Sequence, residues 1–563
     1  MSALAIIALS QGYRVSGSDA RAGAQLDAVR EAGATCFVGH DARHVGGSDA
    51  HDDARDDEAL TLVDPPEAVV VSSAVPGDNV EVAFARRAGI PVFSRAQWLA
   101  RVTRGRAVAA VAGTHGKTST SAALAVALRS AGLDVSAVVG GNVPQFPGGR
   151  NAVGGGDDVF VVEADEYDGA FLGLEPATAV LLNVEHDHPD MFEDERAVVA
   201  MFAQFVRRVK PGGLVVACGD DANVRALVAT LAVRNDLPEN RFTEDDVPEN
   251  VRDPEAVSCV TFGFGAANAW RAVDLRADTR TGGCSFTVTH EGAFVSEMSV
   301  PGTGAYAALN ALAAFVAGLE ILRRERRGRD AATDAATVRS LAKSLATHEG
   351  VARRMQMIGA TERVAVYDDY AHHPTAARLA TAAIKERHAG AFLAVAFQPH
   401  TRSRTEAMFD AFADALGVGK NLDALVVTPV FDARPERQGQ TERGRRDKDE
   451  ASGAEAEASG AEASDLAARL AARAGGAFAA TEAEAVDAVV DAVRDAMTSA
   501  KTRAAREDKN DFHGKKQVVV LCLGAGAGFD VARRVFARLD ELDRGDTASG
   551  SAAVRRDADE TTR

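Results

Sequence analysis

The chemistry of this chain is most legible in one short loop. Gly113-Thr-His-Gly-Lys-Thr118 follows the apolar run Ala107-Val-Ala-Ala-Val-Ala112 and precedes Ser119–Ser130, where alanine and leucine recur on one helical face. Strand, glycine loop and helix in that order make a cradle for phosphate. The glycines let backbone N–H groups approach the oxygens, and the helix amino terminus adds positive potential. Lys117 then sets its ammonium against the outer phosphates of ATP, and the Thr118 hydroxyl is a ligand for Mg²⁺. Gly113, Thr114, His115, Gly116, Lys117, Thr118 and Ser119 are therefore the candidate ATP-binding residues. The competing reading is a plain tight turn with a surface lysine. The longer phosphate-loop pattern asks for glycine at position 111, where this chain has Val111, so the loop is the shorter G-T-x-G-K-T form.

Other residues of matching chemistry follow. Glu163 ends the apolar run Val159–Val162, and a carboxylate there is a suitable hard ligand for Mg²⁺. Asp187-His188 follows the next strand. Histidine is an unusual ligand for Mg²⁺, so the chemistry of His188 leaves metal binding and hydrogen bonding both open. Glu166 and Asp168 read either as polar support or as solvated loop acids. Arg354 and Arg404 carry planar guanidinium forks that match phosphate and carboxylate oxygens. The pair His372-His373 before Pro374 reads either as part of a site or as the start of a helix.

Positioning these groups takes alternating strands and helices. Residues 1 to about 104 alternate helical stretches with short strands such as Tyr13–Ser16 and Ala68–Ser72, which implies a parallel sheet covered on its faces. A second region, 105–348, holds the phosphate loop, strands at Ala107–Ala112, Val159–Val162, Ala179–Leu182 and Leu214–Ala217, and antiparallel additions over 255–300. A third, 349–543, has strands at Val364–Tyr367, Phe392–Phe397, Ala424–Thr428 and Val518–Leu523. Within it, Arg434–Ser464 and Ser499–Lys516 carry too little apolar bulk to offset ordering entropy and are expected to be mobile insertions, as is the tail 544–563. The Asp/His-rich stretch His40–Asp57 reads as a solvated loop, with a metal site as the competing reading. The fold class expected is α/β in three domains: Rossmann-like, central phosphate-loop, and Rossmann-like.

Taken together, the motifs resemble the muramyl ligase family. Beyond Gly113–Thr118, the segments Glu163-Ala-Asp-Glu-Tyr-Asp168, Asn183-Val-Glu-His-Asp-His188, Asp368-Asp-Tyr-Ala-His-His-Pro-Thr375 and Gln398-Pro-His400 stand in the family's order. They look most like the branch that couples L-alanine to UDP-N-acetylmuramate in peptidoglycan synthesis. The resemblance covers about 1–430 and 518–535. It implies an ATP- and Mg²⁺-dependent ligase in which a carboxylate, a poor electrophile, is first made an acyl phosphate. It also implies roles: Lys117, Glu163, His188, His372 and Arg404 catalytic; Thr118, Glu163 and His188 on metal; Asn310, Arg354, Asp369 and Tyr370 on ATP. Ser18, Asp19, Ser72 and Ser73 match blocks that hold the UDP-linked acid, and His400 lines the amino-acid pocket. Two competing readings are a ligase that joins the same acid to a recycled tripeptide and a non-catalytic nucleotide-binding relative.

Three departures stand against the family pattern. Gly304-Ala-Tyr-Ala-Ala-Leu-Asn310 keeps Asn310 but has Tyr306 and Ala307 where histidine and asparagine are usual. Gln398-Pro-His-Thr-Arg-Ser-Arg404 shifts the first arginine to Arg402. The family's glycine-rich loop ends in Gly-Met-Ser, whereas this sequence starts at Met1-Ser2, so weak binding of the UDP-linked acid and a longer natural chain are expected. Gly524-Ala-Gly-Ala-Gly528 does not replace that loop, because no acid follows at the dinucleotide spacing.

Bulk properties set outer limits. A net charge of −18 argues against nucleic acid as the main partner, since phosphate backbones are held by basic excess. No uninterrupted apolar run reaches the ~18 residues of a membrane span. Five scattered cysteines form no disulfide framework and suit a reducing compartment. The cytoplasm is expected, with a plastid stroma left open if a leader precedes this sequence. Oligomeric state is not legible.

Overall fold

The computed structural model describes residues 1–46, 65–156, 158–234, 256–278, 282–325, 335–431, 451–507, 517–526 and 530–544. Its centre is a ten-stranded sheet. From one edge the order is Ala293–Val300, Gly283–His290, Trp270–Asp278, Ser258–Gly263, Leu214–Cys218, Thr178–Leu181, Val108–Ala112, Val159–Glu163, Val135–Val138 and Ala152–Val153. The strands around the phosphate loop are parallel, whereas the 270–300 strands add antiparallel pairs at one edge.

Burial on both faces explains the unbroken apolar runs. Ala109 and Val111 face one core, shared with Leu124, Leu312 and Phe315, while Val108, Ala110 and Ala112 face another, built on Phe171, Phe202 and Phe205. The helix Ala305–Glu325 is long and apolar enough to cross a membrane by composition, but Leu312, Phe315, Val316 and Leu319 are fully enclosed in the first core.

The second large sheet runs Gln356–Ala360, Val364–Asp369, Val518–Gly524, Phe392–Gln398, Ala424–Val427, Ala477–Phe478. Its middle strands are parallel and two-faced in the same way. Tyr367 and Val395 meet one core; Val366 and Ala396 meet the other.

Among the described residues before 105, strands form two separate parallel pairs, Ser16–Asp19 with Thr35–Val38 and Val69–Val71 with Val92–Ser94. The first strand begins at Ser16, not Tyr13, because its pairing starts at Ser16 opposite Thr35. The helix Ser2–Ser10 packs on the central sheet, although its place in the chain puts it with the region 1–104. Ala3, Leu4, Ile6 and Ile7 join the core of the central sheet beside Ala152 and Phe160. An all-apolar helix seats wherever it finds an apolar face, and that sheet edge supplies one.

The proposed insertions are partly ordered. Ala451–Ala474 and Glu482–Glu507 are helices, so 451–464 and 499–507 are not irregular as expected. Their alanine and glutamate content favours helix even without apolar bulk, and each segment adjoins a buried helical stretch, around Leu470 and Val489. Residues 434–450, 508–516 and most of the tail lie outside the described residues, as does 47–57 of the acidic loop. Arg43–Gly46 forms a short helix whose His44 donates from Nδ1 to Glu81 Oε1 at 2.7 Å.

Candidate active site

The phosphate loop leaves the central sheet at Ala112 and enters the helix Lys117–Ser130. Two glycines are needed for stated reasons. At Gly116, φ is 86° and a Cβ would stand 2.4 Å from Asn310 Oδ1. At Gly113, φ is 145° and a Cβ would press Leu182 and Asn183 at 3.0–3.1 Å. Asn310 therefore abuts the loop. The strand end at Asn183 clamps it: Thr114 N–H donates to Asn183 O (2.9 Å), His115 N–H to Asn183 Oδ1 (2.7 Å), and Glu185 N–H to Thr114 Oγ1 (2.9 Å). Ser119 sits half-buried in the first helical turn.

Lys117 Nζ lies over the loop, donating to Gly113 O at 2.6 Å and to both carboxylate oxygens of Glu166 at 3.0 Å. Glu166 is almost wholly buried, and that burial, outweighing the pull of Lys117, raises its carboxyl to about 7. Burial alone would lower the Lys117 ammonium, but the charges of Glu166 and Asp165 raise it. Thr118 Oγ1 donates to Glu163 Oε1 at 2.9 Å and accepts from Arg354 Nη2 at 3.0 Å. The second Glu163 oxygen accepts from Gly140 N–H at 2.5 Å, where a Cβ would stand 2.6 Å from that oxygen. A hydroxyl and a carboxylate held together are the hard oxygen donors that suit Mg²⁺.

His188 sits with Asp165 and Glu166, their ligand atoms within 4.8 Å of one another. Its backbone takes φ 55°, its Nε2 stands 3.8 Å from Glu166 and Asp187, and the Tyr167 ring meets it edge-on at 5.0 Å. Arg404, 2% exposed, reaches this group from the other large sheet. Its Nε donates to Asp187 Oδ1 at 2.8 Å, its Nη1 to His400 Nδ1 at 2.9 Å and its Nη2 to His188 Nδ1 at 3.2 Å. Burial pushes Asp187 upward, yet Arg404 and the nearby histidines hold it well below the carboxylate range. His372 donates its Nδ1–H to Tyr370 O, 2.8 Å away, and meets His400 edge-on at 5.1 Å. Burial, then Arg404, keeps it neutral by lowering its pKa well below the usual range.

Tyr370 offers its ring to Arg353 and Arg354 at 5.0 and 5.2 Å. Asp369, pushed up by burial, accepts from the N–H groups of Met355 (2.6 Å) and Ala371 (2.8 Å) and so shapes the turns that carry Arg354 and His372. Beside the loop, Glu185 Oε2 accepts from Thr375 Oγ1 at 2.8 Å and lies 3.5 Å from His115 Nε2. Burial pushes Glu185 up, but these partners bring it to about 2.

Other expected residues stand apart from this cluster. Ser18 donates to Glu81 at 2.5 Å, Asp19 accepts from Arg21 N–H at 3.1 Å, Ser72 accepts from Ala74 N–H at 3.3 Å, and Ser73 is exposed. All four lie at strand ends of the small parallel pairs. Arg402 turns away, pairing with Glu406 at 2.8 Å and with Glu462. Tyr306 is half-buried, with its ring against Gly304; burial raises its hydroxyl. Sequence reasoning did not single out Asp165, Glu185, Arg353 or the Arg404–Asp187 pairing. The only signal was the position of Asp165, Glu185 and Asp187 inside the motif segments and of Arg353 beside Arg354.

Comparison with known proteins points to one family. The family described as "Mur ligase family, catalytic domain" matches residues 1–107, "Mur ligase middle domain" matches 111–242, and "Mur ligase, glutamate ligase domain" matches 353–526. A UDP-N-acetylmuramate–L-alanine ligase of Frankia casuarinae is 37% identical over 455 residues, 77% of this chain and 81% of the relative. One of Saccharopolyspora erythraea is 38% identical over 438 residues, 78% of each chain. In fold, the chain is similar to the UDP-N-acetylmuramate–alanine ligase of Thermotoga maritima (TM-score 0.64, 22% identity, 96% of this chain and 97% of that one). It is also similar to a murein peptide ligase of Psychrobacter arcticus (TM-score 0.59, 21% identity, 95% and 96%). A phosphate loop faced by arginines from a second α/β sheet, together with these identities over most of both chains, makes the chain a member of the Mur ligase family.

Proposed function

We propose that this ligase joins L-alanine to the carboxylate of UDP-N-acetylmuramate at the expense of ATP, through an acyl phosphate. The observation that carries the reading is the meeting of Thr118 and Glu163, at 2.9 Å, with Arg354 from the other sheet, 3.0 Å from the same hydroxyl. Phosphate-side oxygens and a guanidinium thus share one point. The order of the motifs along the chain supports working units of 1–104 for the UDP-linked acid, 105–348 for ATP and 349–543 for the amine.

Thr118 and Glu163 are the ligands we assign to Mg²⁺, with His188 beside Asp165 and Glu166 as a second position. When bound, the metal would neutralise charge that builds on the transferred phosphoryl group. The chain's own groups do the rest. Lys117 exchanges Glu166 for phosphate oxygens, so its contact with the outer phosphate is made only when the nucleotide arrives. Tyr370 and Arg353 form a stacked platform at the nucleotide edge, and Asn310 borders the loop. Arg404 holds His400 and His188 in fixed orientation around the acid and the incoming amine. Enclosure by the two sheets excludes water, which an acyl phosphate requires. We place the reaction in the cytoplasm. The compared relatives are bacterial, and a plastid location has no support.

The test is phosphate release by the full chain with UDP-N-acetylmuramate, L-alanine and ATP, against reactions lacking each one. Dependence on all three is expected. Release that needs a tripeptide in place of alanine would overturn the assignment of the amine.

A further inference from the structure

Among the described residues, two groups of side chains have metal-binding geometry. Asp165, Glu166 and His188 belong to the site above. The second group, His115, Glu185 and His373, uses none of the residues assigned to Mg²⁺.

We propose that His115, Glu185 and His373 form a site for a borderline-soft divalent cation of the Zn²⁺ class, which ties the phosphate loop to the C-terminal ligase region. The donor set is the first argument. Two imidazoles and one carboxylate, with a fourth position left to water, are what an open zinc centre uses, whereas Mg²⁺ prefers oxygen donors throughout. Spacing is the second. The three ligand atoms lie within 4.8 Å of one another, and His115 Nε2 stands 3.5 Å from Glu185 Oε2. That separation is too long for a good hydrogen bond but close to the ~3.3 Å edge of a tetrahedron with arms of ~2.0–2.1 Å. The two rings face each other at 4.7 Å, tilted by 54°.

A third observation is independent of spacing. His115 Nε2 is shut off from solvent and makes no hydrogen bond. A buried polar atom in that state is costly, and a cation would satisfy it.

Supporting contacts are already in place. Thr375 Oγ1 donates to Glu185 Oε2 at 2.8 Å and orients the carboxylate. His373, 7% exposed, rests its Nε2 against His186 O and its Nδ1 against Thr375 N–H, each at 3.2 Å. The Nδ1 lone pair that accepts from Thr375 N–H would pass to the metal, while Nε2–H goes on donating to His186 O and fixes the ring, as outer partners of metal-bound histidines do. His115 comes from the phosphate loop and Glu185 from the strand end that clamps it, whereas His373 caps the helix Pro374–Arg387 of the other sheet. A cation bound to all three therefore couples the two regions.

The experiment titrates the full-length chain with Zn²⁺ against a chromophoric chelator, in excess Mg²⁺ and without nucleotide. One equivalent of Zn²⁺ is expected to bind. His373→Gln and Glu185→Gln should each weaken it by at least the ~10–100-fold that loss of even a supporting partner costs. His188→Gln should leave it unchanged. Unchanged affinity in the first two variants, or loss in His188→Gln, would overturn the assignment. If a variant fails to fold, the visible spectrum of the Co²⁺-loaded parent decides. Strong four-coordinate bands are expected, and a weak octahedral all-oxygen spectrum would refute the site.

Discussion

Arg404 and Asp187, 217 positions apart, form a buried pair in which Nε and Nη2 both address one carboxylate oxygen, at 2.8 and 2.7 Å. The contact joins the two large sheets at the point where His188 and His400 also meet the guanidinium. It is at once a structural tie and a way of aiming two histidines.

Arg404→Ala leaves a buried carboxylate without its cation, which costs about 3–5 kcal/mol of stability. Asp187→Asn in the same chain should restore part of that loss, because the orphaned charge is gone. Denaturant unfolding of the two variants checks both statements, and equal stability of Arg404→Ala and the parent would refute the tie. In the folded fraction of Arg404→Ala, the KM for alanine or for the UDP-linked acid should rise more than ATP affinity falls.

Lys117→Ala should reduce turnover by about 10²–10³-fold or more, the cost of losing one charge-stabilising donor. Its effect on melting temperature depends on pH. With Lys117 gone, Glu166 loses the cation that pulls its carboxyl down, so its folded pKa rises above the present value of about 7. A carboxyl raised in the fold binds more protons folded than unfolded, so stability falls as pH rises towards the folded pKa. The variant should therefore melt close to the parent near neutrality and progressively lower in alkali. Scanning fluorimetry across that range is the check, and a constant offset at every pH would count against the pairing.

The segment joining the two large sheets carries a pH sensor of its own. His348 is held by Gln145 at 3.0 Å through Nδ1, while Nε2 is buried without a hydrogen-bond partner, and burial lowers its pKa to about 4. A histidine depressed in the fold leaves the unfolded chain with more protons below its ordinary value of 6.5. Stability should thus fall as pH drops from about 6.5 to about 4, with His348 supplying a slope of up to about 1.4 kcal/mol per pH unit. Chemical denaturation of His348→Gln should show a shallower slope than the parent over that window. Identical slopes would show that the ring is not neutralised by burial.

Local chemistry was readable from residues alone. The strands at Val108–Ala112, Val159–Glu163, Leu214–Cys218, Phe392–Gln398 and Val518–Gly524 appear as unbroken apolar runs because both sheet faces are covered. The glycines of the phosphate loop are dictated by backbone geometry, so they too stand out. What stayed hidden depends on contacts between distant positions. Nothing local marks Asp187 as the partner of Arg404, or Glu185 as the neighbour of His115 and Thr375. Arg402 resembled a displaced site residue, yet its position on the first turn after Thr401 turns it towards Glu406 and Glu462. The ordered parts of the proposed insertions were missed because low apolar content was weighed above the helix preference of alanine and glutamate.

The seating of Ser2–Ser10 on the central sheet has a consequence for how the protein is divided. A cut near residue 104 follows the order of the chain, but Ile6 and Ile7 complete a core whose other members, Ala152 and Phe160, lie beyond that cut. A fragment beginning at 105 would carry an uncovered apolar socket and tend to self-associate, while the released front piece would carry an unsheltered apolar helix. Supplying residues 1–12 as a separate peptide should quiet the fragment, because what it lacks is a lid over one edge of its sheet.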